Sequence, residues 1–550
     1  MYERNNAAIR ENVCSDIYEL GVKQKKETIL DRLGKDIALL HEQCNIHIHD
    51  LDTFGDVNNC SIPLLKHYLL EKEYALKDDI CLIAELFNRQ KELIIEIGTS
   101  QSGGIGFNNY DIDLGAVLDT LNIEINGKTK AFIDYSIKEF LEWINITKTR
   151  CCREPYYITL NIGLAKNGWG KIIAESILDS FYVMPMNYTR PNLVFKLVRD
   201  VHFIDNAPCA DLFEKAIKCT GRRMIPTYLL MDSSVNNEYL SEEIGIMGCR
   251  TRVVANINGK RGSNGRGNLG NVSINLPRIA LECKTESDFF ERLSFLLDRV
   301  HEILDLRIKM LKESKGYYVK YVIDNKLWNK VNTIDDMIKE GTLSVGYIGL
   351  SEAVEILTGC KYYLDSEAYN LALKIITYMR DYTDRLTQID KINYSLLASP
   401  GEMISGRFCE YDKKLFSHSV HEKGFYTNSF HVEVDSGLSI FEKIDREAPF
   451  HRINNGGCIT YVEFKEAVLE NLLAIKDLLI YALEKNLSYV GVNYPLDVCN
   501  ECGNIGTFDF CSNCGSDNIK RIRRVSGYLE DLEFFTDGKK AEVKYRKANI

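Results

Sequence analysis

The sequence predicts an α/β fold. Short runs rich in β-branched and aromatic residues, among them YYITLNIGL, VSINLP and GCITYVEF, alternate with longer stretches whose apolar residues recur at helical spacing. That alternation marks strands joined by crossover helices. The 550 residues contain only 10 prolines and no long Pro-, Ser- or Gly-rich linker, so one large body with a small appendage fits better than a string of separate domains.

Taken in order, residues 1–45 read as a helical lead-in, from the spacing in NVCSDIYELG and ILDRLGKDIALLHEQ. Asn45–Asp50 (NIHIHD) alternates as a strand does. Residues 46–490 carry the strand–helix alternation, including a long amphipathic helix over Phe289–Lys312. The glycine-rich stretch Asn256–Asn271 is expected to be a loop or hairpin tip between Cys249 and the VSINLP strand. Its glycines do not spell the strand–turn–helix phosphate fingerprint. Ser399-Pro400-Gly401-Glu402 reads as a helix start, with serine as N-cap and glutamate completing a capping box. Residues 491–550 change character, with clustered cysteines and basic residues and few apolar runs.

Composition excludes several function classes. A net charge of −10 gives no general attraction for nucleic acid or an anionic membrane surface. The N-terminus is charged from its third residue, and the richest apolar stretch, Val468–Leu483, is interrupted by Glu470, Lys476 and Asp477. Neither a signal peptide nor a membrane span is expected. The 17 cysteines, scattered through a large chain, fit a reducing cytoplasm better than a disulfide scaffold. Cys81, Cys219 and Cys283 read as small apolar core fillers, and Cys14 and Cys44 as structural.

Four cysteines stand apart. Cys499, Cys502, Cys511 and Cys514 form two CxxC pairs separated by eight residues, each pair followed by a glycine, Gly503 or Gly515. Two such knuckles can place four thiolates around one Zn²⁺, and a filled four-thiolate shell makes the metal structural rather than catalytic. An iron–sulfur cluster or a nucleic-acid-binding zinc ribbon uses similar spacing, but the acidic chain argues against the ribbon.

Downstream lies Arg523-Arg524-Val525-Ser526-Gly527-Tyr528-Leu529. Alone, Gly527 is an ordinary turn glycine. After a zinc quartet near the C-terminus, the combination resembles the anaerobic (class III) ribonucleotide reductases, whose matching glycine carries a stable backbone radical. The resemblance spans nearly the whole chain, through Ile48-His49-Asp50-Leu51-Asp52, Ser102-Gly103-Gly104, Met247-Gly248-Cys249-Arg250, Asn275-Leu276-Pro277-Arg278, Gly346-Tyr347-Ile348-Gly349-Leu350 and Tyr426-Thr427-Asn428-Ser429-Phe430. No counterpart of the family's ATP-binding cone is recognised ahead of the helical lead-in, so overall control by ATP and dATP is not expected.

The resemblance implies a ten-stranded α/β barrel of two five-stranded halves, entered by a finger loop near residues 247–271 and by the C-terminal loop bearing Gly527. It assigns Gly527 the stored radical, Cys249 the transient thiyl and Cys60 the opposing proton and hydrogen donor. Without it, Cys249 reads as a packing cysteine. Met247 and Asn268 match positions of formate-using members, and the Asn268 amide could hydrogen-bond a small carboxylate. Ser399, at a helix start, and the strand histidines His47 and His49 become substrate-pocket candidates. The adjacent Cys151-Cys152 resembles the paired thiols of pyruvate formate-lyase, but its RCCREP context fits a structural role. The family further implies a homodimer, nucleoside triphosphate substrates, allosteric nucleotide effectors, formate as co-substrate and a separate radical S-adenosylmethionine activating enzyme. This chain lacks that activase's CxxxCxxC motif. Two other readings stay open at this level: a different glycyl-radical enzyme, such as an acyl lyase or decarboxylase, and a non-enzymatic zinc-ribbon binding protein.

Overall fold

The computed structural model describes residues 13–74, 78–148, 155–204, 206–469, 471–524 and 526–549. Cys151 and Cys152 lie outside them, and so does the side chain of Cys14.

The lead-in forms two helices, Val13–Leu33 and Lys35–Glu42, divided at Gly34, whose φ of +88° suits glycine. Strands follow at β1 (Ile46–Ile48), β2 (Cys60–Ile62), β3 (Ile105–Phe107), β4 (Ile158–Ile162), β5 (Asn192–Leu197) and β6 (Thr227–Leu230). Next come the two-residue strands β7 (Ile246–Met247) and β8 (Thr251–Arg252), then β9 (Arg266–Asn275), β10 (Thr342–Ile348), β11 (Asn393–Ala398), β12 (Thr460–Glu463) and β13 (Tyr489–Asn493).

Strands β2 to β6 run parallel to one another, as do β9 to β11 and the pair β12–β13. The two halves join antiparallel at β2–β9, where Cys60 faces Asn268, and at β6–β13. The ring closes where Gly456 N donates to Leu396 O at 2.8 Å and Ala398 N donates to Gly457 O at 3.1 Å. This is the expected ten-stranded α/β barrel, with β1 added along β9. Its strands are buried on both faces, which is why ITLNI and NLVFKL read as near-continuous apolar runs. Crossover helices cover the outside, and capping boxes start two long ones, Gly127–Ile146 at Asn126 and Glu286–Glu313 at Thr285. No helix among the described residues is long and apolar enough to cross a membrane.

Three sequence expectations need correction. The second half of the glycine-rich stretch is strand, the start of β9. Its glycines serve close packing rather than turning: a Cβ on Gly267 would lie 2.4 Å from Cys60 O, and one on Gly270 would lie 2.6 Å from the Arg307 side chain. Ser399 caps no helix, because Gly401 turns left-handed at φ +58° and the helix begins only at Ile404. Cys81 is exposed and fills no core, and Cys283 is half-buried, whereas Cys44 and Cys219 are buried.

The described residues after β13 build a four-stranded antiparallel sheet, β14 (Leu496–Cys499), β15 (Ile505–Gly506), β16 (Ile519–Arg524) and β17 (Leu529–Asp531), followed by a helix over Asp537–Tyr545. Gly527 lies in the turn between β16 and β17.

Candidate active site

The hairpin β7–β8 carries Gly248, Cys249 and Arg250 at its tip and is held by polar groups of the first half-barrel. Asn161 Oδ1 accepts Ile246 N at 2.9 Å, and Asn161 Nδ2 donates to Ile246 O at 3.0 Å. Thr159 Oγ1 and Asn192 Nδ2 both donate to Gly248 O, at 2.6 and 3.1 Å. With its neighbours so fixed, the half-buried Cys249 is presented rather than flexible. Burial pushes its thiol pKa up, against the opposing pull of Arg250, so the sulfur keeps its hydrogen at neutral pH.

Cys60 enters from the barrel wall. Its Sγ accepts Gly104 N at 3.1 Å and donates to Asn59 Oδ1 at 3.0 Å. Burial raises this thiol far above the usual range, an effect that the Gly104 amide only partly offsets. The Gly103-Gly104 pair makes the approach possible: a Cβ on Gly103 would sit 2.6 Å from Cys60 Sγ, and one on Gly104 2.8 Å from Gly248 Cα. A Cβ on Gly248 would in turn lie 3.6 Å from Cys60 Sγ and 3.7 Å from Tyr528 Oη.

The Gly527 turn inserts against the same tip, where a Cβ on Gly527 would meet Cys249 Cβ at 2.1 Å and Cys249 Cα at 2.5 Å. The fully buried Arg524 anchors the turn, donating to Gly527 O at 2.9 Å, Asn493 Oδ1 at 2.6 Å and Met224 O at 2.6 Å. Ser526 Oγ donates to the half-buried Glu402 Oε1 at 2.6 Å, and Arg190 pairs with Glu530 at 2.7 Å in a buried ion pair. The Tyr528 ring lies 4.9 Å from that of Tyr157, its neighbour on the barrel side. Gly527, Cys249 and Cys60 are therefore gathered at one point.

The remaining sequence candidates line the same barrel. His49 Nε2 meets Ser273 Oγ at 2.9 Å, and Ser273 Oγ meets Ser399 Oγ at 2.7 Å. His47 packs edge-on against His49 at 4.5 Å and takes Arg407 Nη1 at 3.0 Å. Asn268 Nδ2 donates to Ser344 Oγ at 2.7 Å, so the amide hydrogens are partly committed, while its buried Oδ1 has no partner. Met247 is fully buried among Cys60, Ile62 and Val253.

In the terminal lobe the four sulfurs of Cys499, Cys502, Cys511 and Cys514 lie within 4.8 Å of one another. The pairs Cys499–Cys514 and Cys502–Cys511 are each 3.5 Å apart. A tetrahedral Zn²⁺ with Zn–S bonds of about 2.3 Å spaces its sulfurs by about 3.8 Å, so the set fits that ion. Gly503 and Gly515, at φ +72° and +76°, make the tight turn of each knuckle.

The family model of the anaerobic ribonucleoside-triphosphate reductases matches residues 5–548. The chain belongs to this family. It is 29% identical over 572 residues to the reductase of that name from Escherichia coli (strain K12), spanning 94% of this chain and 79% of its relative. Against that of Enterobacteria phage T4 it is 28% identical over 569 residues, spanning 93% and 91%. The anaerobic ribonucleotide reductase from Thermotoga maritima in complex with dATP and CTP superposes with a TM-score of 0.75 at 16% identity, over 97% of this chain and 92% of that one, a likeness of fold.

Several residues that build this reductase-family site were missed in the sequence. Arg524 and Tyr528 stand beside Gly527 in the RRVSGY motif itself, and their place in that motif is a signal that could have found them. Arg190, Glu402 and Glu530 carried none: Glu402 looked like a capping residue, and Arg190 meets Glu530 across 340 residues of chain.

Proposed function

We propose that this chain reduces ribonucleoside triphosphates to deoxyribonucleoside triphosphates by hydrogen-atom transfer among Gly527, Cys249 and the substrate ribose, with formate as reductant. The meeting of Gly527, Cys249 and Cys60 carries the reading. Once an activating enzyme of the radical S-adenosylmethionine type has removed the Gly527 α-hydrogen, the glycine takes the Cys249 thiol hydrogen. Having no Cβ, it can flatten and delocalise the unpaired electron. Cys249 sulfur then takes the ribose 3′-hydrogen, and the 2′-hydroxyl leaves as water with a proton from Cys60. Formate gives up a hydrogen and two electrons that form the new C2′–H bond and departs as carbon dioxide, the 3′-hydrogen returns from Cys249, and a proton from solvent restores the Cys60 thiol. In sum, ribonucleotide, formate and one proton become deoxyribonucleotide, water and carbon dioxide.

Two raised thiol pKa values support these roles, since a hydrogen-atom or proton donor has to be protonated at rest. Met247 and Asn268, beside Cys60, are the formate contacts of this reading. His47, His49 and Ser399 bind substrate, and the zinc lobe stiffens the sheet that carries the Gly527 turn. Nucleotide effectors and a homodimer complete the proposal; the Thermotoga protein was captured with dATP and CTP.

The test is anaerobic activation followed by electron paramagnetic resonance and an assay of dCTP from CTP with ¹³C-formate. A glycine-centred signal, dCTP and labelled carbon dioxide are expected. Turnover that needs a thioredoxin or glutaredoxin system and ignores formate would return Met247 and Asn268 to packing.

A further inference from the structure

Behind the Gly527 turn lies a cavity of about 50 Å³, bordered by Arg250, Tyr461, His431, Thr427, Arg524 and Arg546. It has room for a few waters or one small organic ion, not for a nucleotide. Its lining holds uncommitted polarity. Arg250 is 1% exposed, and neither its Nε nor its Nη1 has a hydrogen-bond partner. Tyr461 Oη, His431 Nε2 and Arg546 Nε are likewise buried without one. Buried polar atoms are nearly always satisfied, so several converging on one cavity mark a ligand site.

Charge points to the kind of ligand. Tyr461 lies between two fully buried guanidiniums, with Arg250 at 5.9 Å and Arg524 at 5.1 Å from its ring. Most carboxylates around the cavity already have cations: Glu433 has Lys361 and Lys423, Glu542 has Lys539 and Arg546, and Glu447, just behind, has Lys443. Glu463 accepts Asn493 Nδ2 and forms no ion pair with either guanidinium among the described residues. Arg524 spends its donors on neutral oxygens, those of Gly527, Asn493, Met224 and Val492. Arg250 itself forms no ion pair among the described residues, so its buried guanidinium is the charge that a small monoanion would meet. The unpartnered Nε and Nη1 of Arg250 lie on different edges of the guanidinium, so a small carboxylate would take one charge-assisted hydrogen bond from Arg250, with the unpartnered Tyr461 hydroxyl on the same cavity as a second donor.

We propose that this cavity holds formate on the Arg250 guanidinium, as a reservoir site distinct from the Asn268 and Met247 pocket. The inference rests on the reading of formate as reductant. The site sits one residue from Cys249, and Arg524 links it to the Gly527 carbonyl. A reductant held there is next to the radical residues without occupying the substrate's place.

Two measurements test it. Anaerobic crystals of the unactivated wild-type protein, soaked with sodium formate, should show a carboxylate in this cavity hydrogen-bonded to the Arg250 guanidinium and the Tyr461 hydroxyl. In the activated enzyme, Arg250→Lys keeps the charge but loses the planar guanidinium's N–H directions, and should raise the formate KM by about tenfold with the CTP KM unchanged. A purely packing role for Arg250 would instead lower kcat or disturb both KM values. If ¹³C-formate yields labelled carbon dioxide but no carboxylate binds at Arg250, or the formate KM stays as in wild type, the site is wrong while the reductant reading stands. If labelled formate is never consumed, the reductant reading fails, and the crystal result alone decides whether Arg250 holds a carboxylate.

Discussion

Gly527 touches Cys249 so closely that no side chain fits between them: a single Cβ on the glycine would overlap the cysteine's Cβ at 2.1 Å. The two residues nonetheless have separable roles. Gly527→Ala removes the site that can be flattened and displaces the turn, so neither a radical signal nor dCTP should form. Cys249→Ser leaves the glycine intact but replaces S–H with a much stronger O–H bond, so the protein should show a glycyl signal yet be inert. Air should cut the activated wild-type and Cys249→Ser chains at Gly527, giving a fragment that starts near that residue, and leave Gly527→Ala whole. A Cys249→Ser protein with normal turnover would put the thiyl elsewhere.

The zinc lobe is the frame of the radical turn, because β16 runs from the second knuckle to Arg524 just before Gly527. Metal analysis should find about one Zn²⁺ per chain, and Cys502→Ser should lose it. The barrel should keep its far-ultraviolet circular dichroism while the yield of glycyl radical falls steeply. Full radical yield in a zinc-free Cys502→Ser protein would refute the framing role.

How much of this was legible in the sequence depended on how local each signal is. The cysteine quartet is short and self-contained, so its spacing points to a metal without the fold, and the RRVSGY segment drew its reading from standing after that quartet. The alternation of strands and helices likewise gave the barrel's class. Misreadings came where distant chain decides the conformation. Gly267 and Gly270 resemble loop glycines until Cys60 and Arg307 are seen to occupy the space beside them. Ser399 looked like a cap because its neighbours spell one, yet its hydroxyl meets Ser273 and Glu402 is drawn to Ser526. The unpartnered Nε and Nη1 of Arg250 gave no signal, since the cavity beside them is made by several segments at once.

Arg190 and Glu530, with side chains 6% and 7% exposed, tie the strand after Gly527 to the barrel wall. Removing one partner of a buried pair strands the other charge and costs about 3–5 kcal/mol. Glu530→Leu should therefore lower stability in chemical denaturation by about that amount and reduce radical yield, since the turn loses its downstream anchor. Arg190→Met combined with Glu530→Leu should recover much of the stability but not the geometry. Single variants within about 0.5 kcal/mol of wild type would show that the pair bears no such load.

The C-terminal helix adds a pH dependence. Burial alone would raise the carboxyl of Glu542, but Lys539 and Arg546 hold it down at about 2, against an ordinary value of 4.5. Arg546 lies 2.7 Å from Glu542 and also donates to Arg524 O at 3.0 Å, so this triad braces the segment just before Gly527. A depressed folded-state pKa contributes stability that is complete above the ordinary value and is lost as pH falls from there through the folded value. At about 1.4 kcal/mol per pKa unit, the shift corresponds to about 3 kcal/mol, present at neutral pH and draining away between about pH 5 and pH 2. Glu542→Gln should therefore be less stable than wild type by at least that amount at pH 7, because Lys539 also loses its buried counterion. Hydrogen exchange of residues 537–546 measured from about pH 7 to pH 3 should show faster opening in the variant at neutral pH and a gap that narrows as wild-type Glu542 protonates. A gap that stays constant across that range would mean that the ionised carboxylate contributes nothing to holding the helix against the radical turn.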